Sequence, residues 1–292
     1  MPNILERALD LLRFLVPPPF RAEIPVVPVV RLTGTIGVVT PLRPGLMLSG
    51  IARSLERAFS IRGARAVALV INSPGGSPAQ SHLIHRRIRQ LAAEKEIPVL
   101  AFVEDVGASG GYMLACAADE IVCDQYSLVG SIGVVGGTFG FVELMEKLGI
   151  ERRVYASGER KVMLDPFQPE KPDDVARIKA IQTDIHAHFI SLVKERRGAK
   201  LTGDDATLFS GEFWTADKAI ALGLADRIGD LRSVLRERYG DKVRTPLIEA
   251  ERGFLGRRLS GVGLDRLAAQ PGLADEFVSA LEKRALWSRY GL

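Results

Sequence analysis

One serine stands among small residues in the stretch EDVGASGGYMLACAADEI, residues 104–121. Ser109 has a glycine and an alanine before it and two glycines after it, and the residues that follow have the pattern of a buried helix. A serine in front of a helix commonly caps it through its side-chain oxygen. Small neighbours also leave space around a hydroxyl, and the free N–H groups of a helix start favour negative charge nearby. The stretch therefore indicates either a helix cap or a serine nucleophile.

A second loop, NSPGGSP at residues 72–78, carries paired glycines after an apolar run. Glycines let the backbone approach a substrate closely and turn its N–H groups inward. The N–H groups of Gly75 and Gly76 would then suit an oxyanion hole or an anion-binding nest. Proline and glycine are also common in ordinary turns, so this loop alone does not establish a site.

A serine nucleophile needs a base, and the histidines are poorly placed for that role. All four fall on helical stretches, and none ends a strand beside an acid; they are His82, His85, His186 and His188. A lysine is the remaining candidate, although a free lysine is neutral only roughly 0.04% of the time at pH 7. A lysine base must therefore be desolvated until its pKa falls by about three units, at a cost of about 4 kcal/mol.

The sequence alone does not choose among the lysines. Lys161 is one candidate, because YASGERKVMLDPF places it in a loop rich in small residues and in front of three apolar side chains. A solvated loop lysine is the alternative interpretation of the same residue.

The elements that must position these residues alternate between short β-branched runs and helical patterns from residue 26 onward. The strands are apolar throughout, as in parallel strands that are covered on both faces. The sequence therefore predicts an α/β fold, in which ligands bind at the carboxyl ends of the strands. The predicted strands are VVPVVRLTGTIG, AVALVI, IPVLAFV and EIVCD, with helices between them over SGIARSLERAFS, PAQSHLIHRRIRQLAAEKE and GGYMLACAAD.

The second half of the chain predicts a helix over FVELMEKLG, a strand over ERRVYAS and a helix of about 25 residues from near Asp173. We expect three regions. Residues 1–25 are an amphipathic helix with a proline-rich linker, 26–232 the catalytic domain and 233–292 a helical extension.

Composition excludes several classes of function. The 292 residues include 47% hydrophobic and 25% charged residues, which suits a large folded core. The formal charge is only +4 and the basic residues are scattered, so we expect no nucleic-acid partner. Cys116 and Cys123 lie in apolar stretches, which indicates buried, reduced thiols. No metal-binding motif is present, and we expect neither a metal nor a cofactor.

The N-terminal stretch NILERALDLLRFLVPPPF is amphipathic, with charged residues interrupting its apolar face. It is shorter than the ~20 residues that span a bilayer, so it predicts neither a transmembrane helix nor a signal peptide. The helix would pack on its own domain or on a neighbouring subunit, or lie in a membrane interface. We expect a location in the cytoplasm or at the periphery of the inner membrane.

Five stretches together resemble the serine peptidases typified by signal peptide peptidase A, within their SohB-like branch. They are INSPGG, ASGGYMLACAADEIV, LVGSIGVV, SGERKVML and GEFWTADKAIALGLADRIG, and they follow one another between about Val27 and Leu231. The resemblance implies a fold akin to the Clp protease subunit and the crotonases, with repeated β-β-α units and terminal helices. It also implies a Ser/Lys dyad that cleaves hydrophobic, membrane-derived peptides, including remnant signal peptides.

The resemblance assigns roles by position in these motifs. Ser109 matches the nucleophile, Lys161 the general base, and Ser131 of GSIGV the residue that orients the lysine. The N–H groups of Gly75, Gly76 and Gly110 would hold the oxyanion. Single-domain members of the family form rings in which a neighbouring subunit supplies the lysine, so we expect a homo-oligomeric ring here.

Members of the family usually carry a transmembrane anchor or are exported, whereas this sequence shows only the short amphipathic helix. This departure bears on a role in clearing signal peptides and leaves the chemistry unchanged. Two alternatives stay open at this point. One is a crotonase-like acyl-CoA enzyme, which would leave Ser109 and Lys161 unexplained, and the other is a catalytically silent scaffold for a membrane protein.

Overall fold

The computed structural model describes residues 24–37, 45–158, 160–249 and 284–291. Within these residues a seven-stranded sheet has the order β1-β2-β3-β4-β7, and β5 pairs with both β3 and β6. Every strand pairing is parallel except that of β5 with β6. The predicted α/β class with a parallel sheet is confirmed. The strands are β1 Val29–Thr33, β2 Val67–Ser73, β3 Val99–Ala108, β4 Glu120–Cys123, β5 Leu128–Gly130, β6 Phe213–Thr215 and β7 Arg227–Ile228.

The helices of the described residues connect these strands and cover the sheet. Those before residue 150 are α1 Leu48–Phe59, α2 Pro78–Lys95, α3 Gly110–Ala115 and α4 Val142–Leu148. Those after it are α5 Pro172–Arg197, α6 Asp205–Leu208, α7 Ala216–Ala221 and α8 Leu231–Tyr239, with a 3₁₀ turn over Gly198–Lys200.

The central strands are apolar throughout because both faces of the sheet are covered. Leu69 and Ile71 of β2 belong to the main core, which also includes side chains of α1, α2 and α3. Ala68 and Val70, which alternate with them, belong to a second core on the opposite face, where α8 packs. Burial on both faces fixes β2 and β3 in register, so that their carboxyl ends reach the same edge of the sheet.

The long helix predicted near Asp173 is present as α5, which has 26 residues. It begins with Pro172 and two acidic residues, and its last turn carries three basic residues, as the helix dipole favours. Arg197 at its end forms two hydrogen bonds to the carboxylate of Asp226, at 2.8 and 3.0 Å. This buried ion pair ties α5 to the segment that leads into β7.

The chain continues to pack on the sheet beyond the boundary expected at residue 232. Val234 and Leu235 of α8 lie in the second core. After α8 the chain runs parallel to β1, with bridges from Val26 to Arg244 and from Val29 to Leu247. Residues 244–248 of the expected helical extension are thus not helical, because their backbone groups pair with residues 25–29 at the open edge of the sheet.

The strand predicted over ERRVYAS, residues 151–157, is wrong as well. Residues 151–156 have no regular structure, and their side chains are exposed. No described strand lies beside them, and an unpaired strand leaves its backbone groups without partners.

No described helix is long and apolar enough to cross a bilayer. The predicted N-terminal helix falls in residues 1–23, outside the described residues.

Candidate active site

Three neighbouring strands end side by side at one edge of the sheet. Ser73 of β2 pairs with Gly107 of β3, and Ala108 of β3 pairs with Gly130 of β5. The residues directly beyond these positions are the glycine loop, Ser109 and Ser131. Strand pairing alone thus brings together three of the motifs that the sequence singled out, at the edge where ligands bind in such folds.

Ser109 stands at a sharp turn between β3 and α3. Its φ is 51° and its ψ is −122°, a conformation that is costly for a residue with a Cβ atom. Main-chain hydrogen bonds hold the turn, since Ser109 N–H donates to Gly130 C=O at 2.8 Å and Met113 N–H donates to Ser109 C=O at 3.0 Å. The hydroxyl makes no capping hydrogen bond to α3, so the structure does not support the helix-cap interpretation. The residue is half-buried.

Gly75 lies directly against the nucleophile candidate. A Cβ atom on Gly75 would come within 2.7 Å of Gly110 N and 2.8 Å of Ser109 Cβ, and the φ of Gly75 is +98°. Only glycine fits this position. The N–H of Gly75 donates to Ser73 Oγ at 3.2 Å. That donor is used inside the loop in this structure, and the fit of Gly75 against Ser109 indicates a role in the close approach of the two segments.

Gly76 and Gly110 keep the donors that an oxyanion hole requires. Within the described part of the chain, neither N–H donates to a protein acceptor. Gly110 is the first residue of α3, where helical N–H groups have no partner in the preceding turn. These two N–H groups are the candidates for binding an oxyanion beside Ser109.

Ser73 is a positioning residue that the sequence analysis missed. Its hydroxyl donates to Gly34 C=O at 2.7 Å and accepts from the Gly75 N–H. It therefore fixes the glycine loop to the end of β1. The sequence feature that could have identified Ser73 is its position immediately before the Pro-Gly-Gly turn, at the end of a buried strand.

Ser131 lies beside Ser109 at the end of the neighbouring strand. Its φ is 53°, and only 6% of the residue is exposed. Its N–H donates to Glu212 C=O at 2.6 Å. The next residue, Ile132, is held by α5, because Nε2 of His186 lies 3.0 Å from its C=O. The position is rigid and close to the nucleophile candidate.

Lys161 is not brought to Ser109 within the single chain. It lies on the segment of residues 134–170, called the arm below, and its side chain is exposed. Its N–H donates to Gly158 C=O at 3.1 Å, but no hydrogen bond joins its amine to Ser109 among the described residues. The chain therefore assembles the nucleophile, Ser131 and the glycine loop, and leaves the predicted base apart from them.

Most of the large apolar side chains that are at least half exposed in the described residues lie on the arm. None of the side chains of α4 is buried. Such surfaces in soluble proteins usually mark contacts with another protein or with a membrane. The apolar side chains of the arm that are at least half exposed are Val135, Phe139, Leu144, Leu148, Ile150 and Tyr155.

The histidines do not form a triad with Ser109, and no hydrogen bond joins any of them to it in the described residues. His85 is 8% exposed in the main core, where burial and the nearby Arg196 lower its pKa to about 4.

The two cysteines are free and buried, as predicted. Burial raises the pKa of Cys116 and of Cys123 to about 12, which excludes either thiol as a nucleophile at neutral pH.

Comparison with known proteins agrees with this geometry. The family model named Peptidase family S49 matches residues 92–242. Na(+)/H(+) antiporter NhaA of Brucella abortus is 55% identical over 99% of this chain, which covers 40% of that protein. Serine protease SPPA, chloroplastic, of Arabidopsis thaliana is 34% identical over 70% of this chain and 30% of its own length. Probable protease SohB of Buchnera aphidicola is 31% identical over 58% of this chain and 49% of its own length.

The chain thus spans less than half the length of each of these three relatives. The matched region contains the nucleophile candidate, the neighbouring Ser131 and Lys161. A match to a peptidase family argues against a crotonase-like acyl-CoA enzyme, the alternative that the glycine loops had left open. Because the family model covers more than half of the sequence, the chain belongs to peptidase family S49, and it is similar to serine protease SPPA and to probable protease SohB.

Proposed function

We propose that this protein cleaves hydrophobic or membrane-derived peptides through an acyl-enzyme, with Ser109 as nucleophile and Lys161 as general base. The observation that carries the proposal is the geometry of Ser109. Ser109 has the features of a nucleophile, because it lies in a strained turn and its hydroxyl does not cap α3. The free N–H of Gly110 adjoins it in the sequence, and that of Gly76 lies in the glycine loop that packs against it. Among the described residues both cysteines are buried, and no hydrogen bond joins a histidine to Ser109.

The chemistry proceeds in two steps. The neutral amine of Lys161 takes the proton of Ser109 Oγ, which attacks the peptide carbonyl carbon. The N–H groups of Gly76 and Gly110 stabilise the oxyanion, and one such donor contributes about 3 kcal/mol in comparable sites. The C–N bond then breaks, and the ammonium returns its proton to the leaving amine. In the second step Lys161 activates water, which hydrolyses the ester and restores the serine hydroxyl.

The base comes from a neighbouring subunit in this proposal. Lys161 is exposed and lies on an arm whose apolar side chains are also exposed. A second copy that covers the arm would remove this apolar surface from water and desolvate the lysine, and desolvation favours the neutral amine. A head-to-tail contact repeated around a closed ring would complete every site in the same way.

The decisive experiment is labelling with a fluorophosphonate probe, which reacts only with an activated serine. We expect the wild-type protein to be labelled, and Ser109→Ala and Lys161→Met to lose labelling. Lys218→Met is the matched control, because Lys218 is an exposed lysine on α7, away from the arm. Equal labelling of wild type and Lys161→Met would exclude Lys161 as the base, and an unlabelled wild type would favour the scaffold alternative.

Peripheral contact with a membrane is a separate part of the proposal and rests on the sequence of residues 1–19. Deleting these residues should abolish sedimentation with liposomes and leave cleavage of a small peptide unchanged. If the full-length protein does not sediment with liposomes, the helix packs on protein instead.

A further inference from the structure

The arm carries an ion pair close to the base candidate. Arg152 pairs with Asp165, which lies four residues after Lys161. Only 5% of the Asp165 side chain is exposed, against 38% for Arg152. In the neighbouring pair, Arg153 with Glu151, both side chains are about 70% exposed. The Arg152–Asp165 pair is therefore much less solvated than an ordinary surface pair, although it lies on a largely exposed segment.

Asp165 uses both of its carboxylate oxygens. Oδ2 accepts from Arg152, and Oδ1 accepts from the Phe167 N–H at 3.1 Å. A charged acceptor with two donors is held more firmly than one in a single contact. The carboxylate therefore joins Arg152 to the turn that follows Lys161.

Aromatic contacts hold the residues that directly follow Asp165. The Arg152 guanidinium lies 4.7 Å from the centroid of the Phe167 ring, which stacks on Phe141 at 5.4 Å. The Phe141 N–H also donates to Pro166 C=O at 2.7 Å. The residues just beyond Asp165 are thus anchored to the start of α4.

The turn that bears the lysine, residues 160–164, is anchored at its end as well. The Leu164 N–H donates to Asp174 Oδ2 at 3.3 Å, in the first turn of α5. Leu164 has a φ of 55°, a conformation that needs support from its surroundings. The position of Lys161 along the arm therefore depends on contacts made by residues 164–167 and not on a strand.

We propose that Arg152 and Asp165 are positioning residues, whose ion pair holds the turn of residues 160–164 so that the amine of Lys161 reaches Ser109. The inference rests on the proposed role of Lys161 as the base. It explains why an exposed segment contains an ion pair whose carboxylate side chain is only 5% exposed, next to aromatic side chains. Neither residue touches substrate, since both act through the placement of the lysine.

The test compares Arg152→Met and Asp165→Asn with Arg236→Met, a control that removes the exposed Arg236–Asp241 pair outside the arm. Fluorophosphonate labelling rates, kcat and KM are measured across pH, with the assembly mass measured in parallel. We expect labelling and kcat to fall by about 10- to 100-fold in both variants, as a displacement of about 1 Å can produce, with KM changed less than about twofold. Because a displaced lysine is less desolvated, the rise of the rate with pH should also move to higher pH.

Arg152→Lys keeps the charge and should recover part of the rate, and Arg236→Met should match the wild type. Wild-type rates in Arg152→Met and Asp165→Asn, with Lys161→Met inactive, would overturn the positioning role and leave the proposed dyad standing. Slower labelling with an unchanged pH profile would also overturn it, as would loss of the assembly. Full activity in Lys161→Met would overturn both proposals. If Arg152→Met does not fold, Asp165→Asn and Arg152→Lys give the same decision.

Discussion

Ser109 and Ser131 lie one residue beyond a directly paired position of two neighbouring parallel strands. Ala108 pairs with Gly130, and the Ser109 N–H donates to Gly130 C=O at 2.8 Å. Both serines have a positive φ, 51° and 53°. The backbone of one is therefore fixed relative to the other by strand pairing, and neither position depends on the serine hydroxyls.

Because strand pairing fixes this backbone, substitutions can test the roles proposed for Ser131 and for Lys161 separately. Ser131→Ala removes a hydroxyl without changing the backbone bond between the strands, so activity should fall about 10-fold. Lys161→Met removes the base and should cost about 100-fold or more. In the wild type, kcat/KM should rise with pH through an ionisation below that of free lysine, because only a neutral amine accepts a proton. Complete loss in a folded Ser131→Ala protein would assign that hydroxyl a larger role.

A base supplied by a neighbouring subunit predicts complementation between two inactive proteins. Ser109→Ala and Lys161→Met, unfolded and refolded together, should regain activity, because some interfaces combine an intact serine with an intact lysine. Random mixing in a ring gives about a quarter of such interfaces. The measurement is peptide cleavage by the mixture, with exchange followed by a mass tag on one variant. Demonstrated exchange with no activity would place both residues of the dyad in the same chain.

The close approach of Gly75 to the nucleophile predicts a large effect from a single methyl group. In Gly75→Ala the new Cβ atom would come within 2.8 Å of Ser109 Cβ, at a φ that alanine rarely adopts. We expect fluorophosphonate labelling to fall by at least about 10-fold and stability to fall by about 1–3 kcal/mol. Gly50→Ala is the control, since a Cβ atom at Gly50 would meet nothing within 4 Å and Gly50 is exposed outside the arm. Normal labelling of Gly75→Ala would mean that the loop can move away from Ser109.

Burial of His85 predicts a loss of stability in mild acid. Burial and nearby Arg196 lower its pKa from 6.5 to about 4, so the folded state keeps the imidazole neutral. Between pH 6.5 and about 4 the unfolded chain binds a proton that the folded chain does not, and the free energy of unfolding falls as the pH falls. The loss should reach on the order of 3 kcal/mol near pH 4.

Denaturant unfolding across this pH range checks the prediction. His85→Gln should show a smaller loss between pH 6.5 and 4 than the wild type. His188→Gln should follow the wild type, because His188 is exposed on α5. Identical pH dependence in the wild type and His85→Gln would show that other groups cause the acid instability.

The sequence predicted the central sheet and most of the candidate site because the required information is local. Apolar runs without alternation indicated strands covered on both faces, and β2, β3 and β4 are such strands. The motifs around Ser109, Ser131 and the glycine loop each follow a strand directly. Parallel pairing therefore brings them to one edge of the sheet.

The arm was harder to predict for a physical reason. ERRVYAS has the composition of a strand, but a strand forms only where another strand can pair with it, and no described strand does so. Similarly, residues 244–248 lie along β1 because that edge was open, which no periodicity within these residues reveals.

The sequence by itself determined the α/β class, the nucleophile candidate and the absence of a well-placed histidine base. The tertiary structure alone decided that the Gly75 N–H is already bound to Ser73, that the Ser109 hydroxyl does not cap α3, and that Lys161 stays exposed and apart from the serine. Each of these depends on contacts between residues far apart in the chain or on the exact path of the backbone. Local composition constrains which elements form, but only packing fixes which donors remain free and which side chains meet.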